Sequence, residues 1–416
     1  MATIRAFKGV RPRADIADKI AALPYDVMNS MEAREMTKNN PLSFLYIDRP
    51  EINLPVGTDM YSDEVYAKAR EVYDNMKQRG EFIQDEKPCL YLYEQTMNGR
   101  SQLGLVACCL IDDYLNNVIK KHELTREEKE RDRIRHVDAL NANTGPIFLT
   151  YRDKDAGSAT ALMHKWAENN KPIYDFVSED DITHRFWVVD CPETIEILTK
   201  CFAQTPSLYI ADGHHRNASG VKVGLMRREQ NPGFDKSEEF NYYLSVIFPD
   251  NELLIMDYNR VVKDLNGNSK EEFLQKVSEK FDVVEMGDMH KPEVAHTFSM
   301  YLDKKWYKLT AKPAIINDND PVERLDVSIM QNFLLNPILG IEDPRIDKRI
   351  DFVGGLRGLK ELERRVDNGE MAVAFAMYPT SIEELMDIAD ANELMPPKST
   401  WFEPKLRSGV IIHELL

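Results

Sequence analysis

One segment constrains the fold of this chain more than any other, because a strand, a polar turn and a helix follow one another directly. The apolar run 208–210 reads as a buried strand, and apolar residues recur at helical spacing over 217–226. Between them stands the polar sequence Ala211-Asp212-Gly213-His214-His215-Arg216. The sequence therefore predicts a buried strand that turns sharply into a helix.

Such a turn is suited to bind an anion. The first N–H groups of a helix have no partner within the helix, and with the helix dipole they favour a negatively charged group, typically a phosphate. Gly213, His214, His215 and Arg216 are the candidate phosphate-binding residues, while the Asp212 carboxylate could hold a metal ion or a substrate hydroxyl. The alternative is an Asx-type turn with solvated or capping histidines. We interpret the turn as a phosphate-handling site.

Length and composition limit the class of protein. The chain has 416 residues, enough for two or three domains, and its five cysteines form no CxxC pair. A formal net charge of -17 argues against a protein that mainly coats nucleic acid, although a local basic patch stays compatible. No apolar run approaches a membrane span, and the first residues lack the apolar core of a signal peptide. We expect a cytoplasmic protein without membrane or nucleic-acid partners.

Strand and helix signals alternate along most of the chain, which predicts a mixed α/β (α+β) fold. The clearest signals are an amphipathic helix over 61–80 and a hairpin around Asn98-Gly99. A charged helix is predicted over 123–143, with Thr125 and Glu128 as its capping box. Paired strands are predicted over 242–248 and 253–256.

The domain boundary is predicted near the polar, turn-rich stretch 257–269. We expect an α/β domain over 1–260 that carries the Asp212–Arg216 turn. An α+β domain over 261–416 is expected to contribute the loop 398–409 to the same cleft, because both segments suit an anion and are too polar to be buried without a ligand.

Two polar segments near the N-terminus are candidate substrate-binding sites. Tyr25 and Asp26 follow a proline, and an ordinary turn is an equally good interpretation. The stretch 40–51 reads as a strand that ends in Arg49 and Glu51. An arginine at a strand end suits a carboxylate or phosphate, with a surface ion pair as the alternative.

Two further segments are candidates for phosphate binding or proton transfer. In Lys120-Lys121-His122-Glu123, the cations could bind phosphate and Glu123 could act as a general base, unless the cluster is simply a solvated face. The proline-rich stretch 395–409 stands out as an anion-receiving loop in so acidic a chain, unless it is a docked C-terminal tail. Its candidate residues are Lys398, Ser399, Thr400, Lys405 and Arg407.

These segments together resemble the bacterial and archaeal family known as domain of unknown function 1015. The resemblance covers nearly the whole chain. It is carried by Pro-Tyr-Asp-Val at 24–27, His-Glu-x-Thr at 122–125, Asp-Gly-His-His-Arg at 212–216, Asn259-Arg260, and Pro-Pro-Lys-Ser-Thr-Trp-Phe-Glu-Pro-Lys at 396–405. The family label by itself implies no reaction.

A more distant resemblance implies one. Asp212-Gly213-His214-His215-Arg216 is similar to the phosphate-binding motif of the ParB/sulfiredoxin superfamily, whose free-serine kinases phosphorylate L-serine with ADP, ATP or pyrophosphate. The resemblance implies a ParB/sulfiredoxin-like N-terminal portion, and Mg²⁺ at Asp212. An upstream glutamate would act on the serine hydroxyl. The candidates for that role are Glu51 and Glu123, and Glu123 directly follows His122 in the sequence.

The leading hypothesis is therefore a small-molecule kinase that converts free L-serine to O-phospho-L-serine. Its partners would be serine or phosphoserine and a phosphate donor, with the oligomeric state left open. Two alternatives stay open, a phosphatase of phosphoserine or another phosphomonoester, and a nucleotide-sensing, ParB-like regulatory module. The acidic composition and the absence of a basic helix-turn-helix pattern disfavour the last.

Overall fold

The structure, a computed structural model, describes residues 1–416. Its strands are β1 (Ile4–Arg5), β2 (Val10–Pro12), β3 (Phe82–Gln84), β4 (Leu90–Met97), β5 (Arg100–Leu110), β6 (Ile119–Lys120), β7 (Ala142–Asn143), β8 (Ile147–Tyr151), β9 (Tyr174–Val177), β10 (Thr183–Val189), β11 (Leu208–Asp212), β12 (Tyr242–Pro249), β13 (Tyr258–Val262), β14 (Phe281–Met286), β15 (Thr297–Leu302), β16 (Lys305–Ala311), β17 (Ile350–Gly354), β18 (Val373–Met377) and β19 (His413–Glu414).

The α-helices are α1 (Ala17–Ile20), α2 (Ser30–Thr37), α3 (Leu45–Asp48), α4 (Asp63–Gln78), α5 (Ile111–Leu115), α6 (Glu127–Leu140), α7 (Ala159–Asn169), α8 (Pro192–Phe202), α9 (His214–Gln230), α10 (Lys270–Lys280), α11 (Asp326–Met330), α12 (Leu359–Asp367) and α13 (Ile382–Asp390). The predicted mixed α/β class is confirmed. No helix is both long and apolar enough to span a bilayer.

The chain divides into two compact units. The first comprises residues 1–253 and 404–416, and the second comprises residues 254–403. This division differs from the single predicted boundary at residue 260, because the chain returns to the first unit at Pro404. Lys405 and Arg407 therefore belong to the unit that carries the Asp212–Arg216 turn.

The first unit is built on a nine-stranded mixed sheet in the order β6-β11-β8-β12-β5-β4-β10-β9, with β1 paired to β5. Strand β11 runs parallel to β6 and antiparallel to β8. Its core includes Leu92, Leu105, Leu149, Ile210 and Val221, all almost completely buried. Because the carboxyl ends of parallel strands meet at one edge of a sheet, the residues after β6 and after β11 lie side by side.

The second unit is built on a six-stranded antiparallel sheet in the order β14-β16-β15-β18-β13-β17. Strand β18 is apolar throughout and completely buried. Helix α13 begins with a capping box formed by Ser381 and Glu384.

Several local predictions are confirmed and three are wrong. Helix α4 and the β4–β5 hairpin match the sequence patterns. The stretch 40–51 is not a strand but helix α3 followed by a 3₁₀ turn, because short apolar runs suit either structure and Ser43 accepts the Leu45 N–H to start a helical turn. Residues 253–256 form no strand. Helix α6 has no capping box, since the Thr125 hydroxyl donates to Glu130 instead.

Candidate functional site

The turn between β11 and α9 leaves the start of a long helix open. Gly213 has a φ of 87°, in the left-handed region that favours glycine, and it allows the chain to reverse direction directly after the strand. As the N-cap residue it has no side chain to accept hydrogen bonds from the first turn of α9. The first turn of α9 therefore lacks a side-chain cap, and an anion is the acceptor that the helix dipole favours at such a helix start.

Asp212 forms an ion pair with Lys405 at this turn. The Lys405 ammonium lies 2.7 Å from Asp212 Oδ2, and the Gly213 N–H donates to Oδ1 at 2.8 Å. Burial alone would favour the neutral carboxyl, but Lys405 and the Gly213 N–H outweigh it and hold the pKa of Asp212 below its usual value. The predicted proximity of Lys405 to the turn is thus what the structure shows, within the first unit.

Two buried histidines meet at the shared edge of β6 and β11. The rings of His122 and His214 pack edge to face with centroids 4.5 Å apart, and the side chains are 2% and 6% exposed. Neither His122 Nδ1 nor His214 Nε2 has a hydrogen-bond partner. Burial lowers the pKa of His214 to about 4 and that of His122 well below its usual value, so both rings are neutral at pH 7. Unpartnered buried ring nitrogens are rare, and a bound water or ligand is what ordinarily satisfies them.

Glu123 and His215 flank this pair. Glu123 Oε2 lies 3.7 Å from His214 Nδ1, and the Glu123 side chain is about half exposed. His215 Nε2 accepts the Arg126 N–H at 3.0 Å, so that ring is held at the start of helix α6. Burial also lowers the pKa of His215. The structure therefore brings His122, Glu123, Asp212, His214, His215 and Lys405 to one place.

Arg216 points to a different partner, the buried carboxylate of Asp48. Arg216 Nη2 lies 3.2 Å from Asp48 Oδ2 and 3.2 Å from Ser408 Oγ. Asp48 is 1% exposed. Burial would raise the pKa of its carboxyl, but Arg216, His136 and Arg133, together with the Ser408 hydroxyl, outweigh burial and hold that pKa below its usual value. The predicted role of Arg216 in phosphate binding competes with this internal ion pair.

A glycine makes room for that arginine. A Cβ atom built on Gly145 would lie 1.6 Å from Arg216 Nη1 and 2.9 Å from Ser408 Oγ. Thr144, beside it, donates its hydroxyl to Asp48 Oδ1 at 3.2 Å. The segment Thr144-Gly145 therefore lies directly against the ion pair between Arg216 and Asp48.

The predicted substrate residues near the N-terminus form their own buried cluster. Glu51 is 6% exposed, its Oε1 lies 2.9 Å from Arg49 Nε, and it accepts the Ser30 hydroxyl at 2.7 Å. Arg49 also donates to the Tyr25 carbonyl. The Tyr25 ring is buried, its pKa is raised to about 12, and it packs against the guanidinium groups of Arg133 and Arg216. Asp26 is exposed. Glu51 is thus neutralised by Arg49, whereas Glu123 lies beside His214.

Not every predicted anion-binding residue lies at the turn. Arg407 is buried among Ser178, Asp180 and His184, near the opposite end of the sheet from β11. Its guanidinium is committed to Asp180 there. Lys398, Ser399 and Thr400 lie in the second unit, where the Lys398 carbonyl accepts a hydrogen bond from Arg260 and the Ser399 hydroxyl donates to Pro396. Their predicted closure over the phosphates stays a prediction.

Sequence reasoning missed Asp48, Gly145 and Ser408, the residues that hold Arg216. The sequence holds one signal for Asp48, a single carboxylate directly after the apolar run 44–47. If that position is buried, the carboxylate needs a cation nearby. Gly145 has no local signal, because the group that needs its space lies far away in the sequence.

The fold and the turn define a mixed α/β protein with a polar strand-to-helix turn at the edge of its main sheet. The family model described as "Protein of unknown function (DUF1015)" matches residues 4–328, and the chain belongs to this family. No curated protein matches the sequence significantly.

Three solved structures align with most of the chain at low similarity. A free serine kinase in complex with AMP is 15% identical, with a TM-score of 0.36, over 74% of this chain and 91% of that chain. A conserved hypothetical protein from Pyrococcus furiosus is 16% identical, with a TM-score of 0.33, over 73% of this chain and 93% of that chain. SbnI with C-terminal truncation from Staphylococcus aureus is 9% identical, with a TM-score of 0.37, over 72% of this chain and 82% of that chain.

Proposed function

We propose that the β11–α9 turn is the active site of a small-molecule phosphotransferase, with the hydroxyl of free L-serine as acceptor and ATP, ADP or pyrophosphate as donor. The observation that carries the proposal is the pair of buried, neutral histidines with unpartnered ring nitrogens beside an uncapped helix start. A phosphate group suits such a site, because its several acceptor oxygens can receive the helix N–H groups and an imidazole N–H together.

Phosphate recognition is assigned to the helix start, His214 and Lys405. A neutral imidazole donates one N–H without placing a second buried charge beside Lys405. The Lys405 ammonium supplies the charge that neutralises the transferred group, while Asp212 positions Lys405 through their ion pair. Phosphoryl transfer depends mainly on such positioning and charge stabilisation.

Glu123 is the proposed general base. In the reaction, the serine hydroxyl oxygen forms a bond to the terminal phosphorus of the donor and its proton passes to the Glu123 carboxylate. The bond from that phosphorus to the bridging oxygen breaks, and the leaving phosphate or nucleotide takes the electron pair. Glu51 is unsuited to this role, because Arg49 and Ser30 already hold its carboxylate in a buried cluster.

The residues do not fit a resident Mg²⁺ ion at Asp212. Both carboxylate oxygens already have donors, in Gly213 and Lys405. No group of three or more His, Cys, Asp or Glu side chains is arranged to hold a metal ion. Mg²⁺ is often carried by substrate phosphates with only one or two protein carboxylates. We therefore assign Mg²⁺ to the donor complex, as part of the substrate, and expect no metal to remain with the protein after dialysis against EDTA.

The test is purified protein with L-serine and Mg²⁺ plus ATP, ADP or pyrophosphate in separate reactions, with phosphoserine measured by ³¹P NMR. We expect phosphoserine with at least one donor and the reverse reaction from phosphoserine. The matched variants are Glu123→Gln, expected to lower kcat by about 10²–10⁴-fold, and Glu51→Gln, expected to lower stability more than turnover. No phosphoserine in either direction, or phosphate released from phosphoserine in the absence of any acceptor, would contradict the proposal.

A further inference from the structure

The second unit contains a cavity of its own, with a volume of about 340 Å³. That volume lies at the lower end of the range for small-molecule sites, roughly 300–1,000 Å³. Its walls are mixed: Leu335, Phe352 and Pro396 supply apolar surface, while Arg260, Gln331 and Asp343 are among the polar lining residues. Glu342 and Arg345 also line it and are solvent-exposed.

Arg260 is a buried cation without an anion. It is 4% exposed, and its guanidinium donates to the main-chain carbonyls of Tyr258 and Lys398. These acceptors are neutral, and they use two of the five N–H groups of the side chain. The Phe352 ring lies 5.6 Å from the guanidinium carbon. Burial without a counter-charge lowers the pKa of Arg260 to about 10.

The other buried arginines differ from Arg260, because none of them lacks an anionic partner. Each of them pairs with at least one carboxylate: Arg49 with Glu51, Arg133 with Asp132, Arg365 with Asp351 and Glu370, and Arg407 with Asp180. Removing a cation from water is costly unless an anion compensates it. Arg260 alone lacks that compensation, and it lines the cavity.

We propose that Arg260 receives the carboxylate of a small organic acid whose apolar body lies against Phe352, Leu335 and Pro396. The arginine fork matches a carboxylate in a bidentate manner. Arg345 is already paired with Asp343 at 2.7 Å, so Arg260 is the lining cation that has no carboxylate partner of its own. A phosphate dianion would add more negative charge than a carboxylate to a cavity whose lining already includes Glu342 and Asp343. This site is independent of the chemistry proposed for the β11–α9 turn.

The test measures binding of benzoate to the full chain by isothermal titration calorimetry, with benzyl alcohol and inorganic phosphate as the neutral and dianionic comparisons. We expect benzoate to bind better than either. Arg260→Gln should weaken benzoate binding by about tenfold or more, because a charged hydrogen-bond partner is lost. The control variant Arg364→Gln removes an exposed, ion-paired arginine that does not line the cavity, and it should leave the affinity nearly unchanged.

Circular dichroism distinguishes lost binding from lost folding. If Arg260→Gln does not fold, Arg260→Lys keeps the charge without the fork and should bind benzoate more weakly than the unaltered protein. Absence of benzoate binding at millimolar concentration, an unchanged affinity in the folded Arg260 variant, or preferential binding of phosphate would each overturn the proposal.

Discussion

The two halves of the Asp212–Arg216 turn have opposite characters. In the first half, His214 packs on His122, both rings have an unpartnered nitrogen, and the helix start has no cap. In the second half, Arg216 is held by Asp48 and Ser408, in a space that Gly145 leaves open. One short motif thus supplies a ligand-facing surface and, two residues later, a structural ion pair. Residue type alone does not distinguish the two roles. What distinguishes them is whether each polar group already has a hydrogen-bond or ion-pair partner within the protein.

The largest expected effect is on the ligand-facing half. Asp212→Asn keeps the size of the side chain but removes the charge that holds Lys405, so we expect kcat of the proposed reaction to fall by about 10²–10³-fold, with the fold retained. Initial rates of phosphoserine formation and a circular dichroism spectrum check both parts. Asp74→Asn, which removes an exposed ion pair with Arg70 on helix α4, is the control and should not change the rate. Near-normal turnover of Asp212→Asn would mean that this carboxylate has no part in the chemistry.

The next largest effect is expected on the structural half. Asp48→Ala leaves the mostly buried Arg216 without its carboxylate, and we expect the free energy of unfolding to fall by about 3–5 kcal/mol. Urea unfolding monitored by circular dichroism measures the change. Glu196→Ala, which breaks the exposed ion pair with Lys200, should have no measurable effect. A small loss for Asp48→Ala would instead indicate that Arg216 can turn toward a ligand, and the contrast between the two halves would disappear.

A smaller effect is expected from filling the space beside Arg216. Gly145→Ala forces the guanidinium out of its ion pair, and we expect a loss of about 1–3 kcal/mol in the free energy of unfolding. The same change in the Asp48→Ala background should cost less, because Arg216 is then already released. Gly287→Ala, where the added Cβ meets no atom within 4 Å, is the control. Equal costs in both backgrounds would show that Gly145 is required for a reason other than Arg216.

The sequence predicts the ligand-facing half well, because its elements are local. The strand, the glycine turn and the helix lie within one segment, and their polar residues are consecutive. What could not be predicted depends on contacts between distant segments. Glu123 was not distinguishable from Glu51 until β6 was found parallel to β11, which places His122 and Glu123 beside His214. Likewise, Lys405 and Arg407 are two residues apart, yet one meets Asp212 and the other Asp180.

The last expected effect is a pH dependence of stability, to which the ligand-facing half contributes through His214. Burial lowers the pKa of His214 to about 4, against about 6.5 in the unfolded chain. Between these values the unfolded state binds more protons, so the free energy of unfolding falls as the pH is lowered through this window. Asp48 adds a further loss at lower pH, because the pKa of its carboxyl is held below the usual value.

Urea unfolding at pH 7, 6, 5 and 4 tests this prediction. His214→Gln should reduce the dependence between pH 6.5 and 4 but not abolish it, because burial also lowers the pKa of His136 to about 4 and that of His184 to about 3. His164→Gln is the control of opposite sign, because the hydrogen bond to Glu252 raises the pKa of His164, and its loss should steepen the decline instead. A bound phosphate donor should also flatten the curve, since the anion favours the protonated imidazole and offsets the cost of burying that charge. If phosphate donors leave the curve unchanged while His214→Gln flattens it, the anion does not bind beside His214.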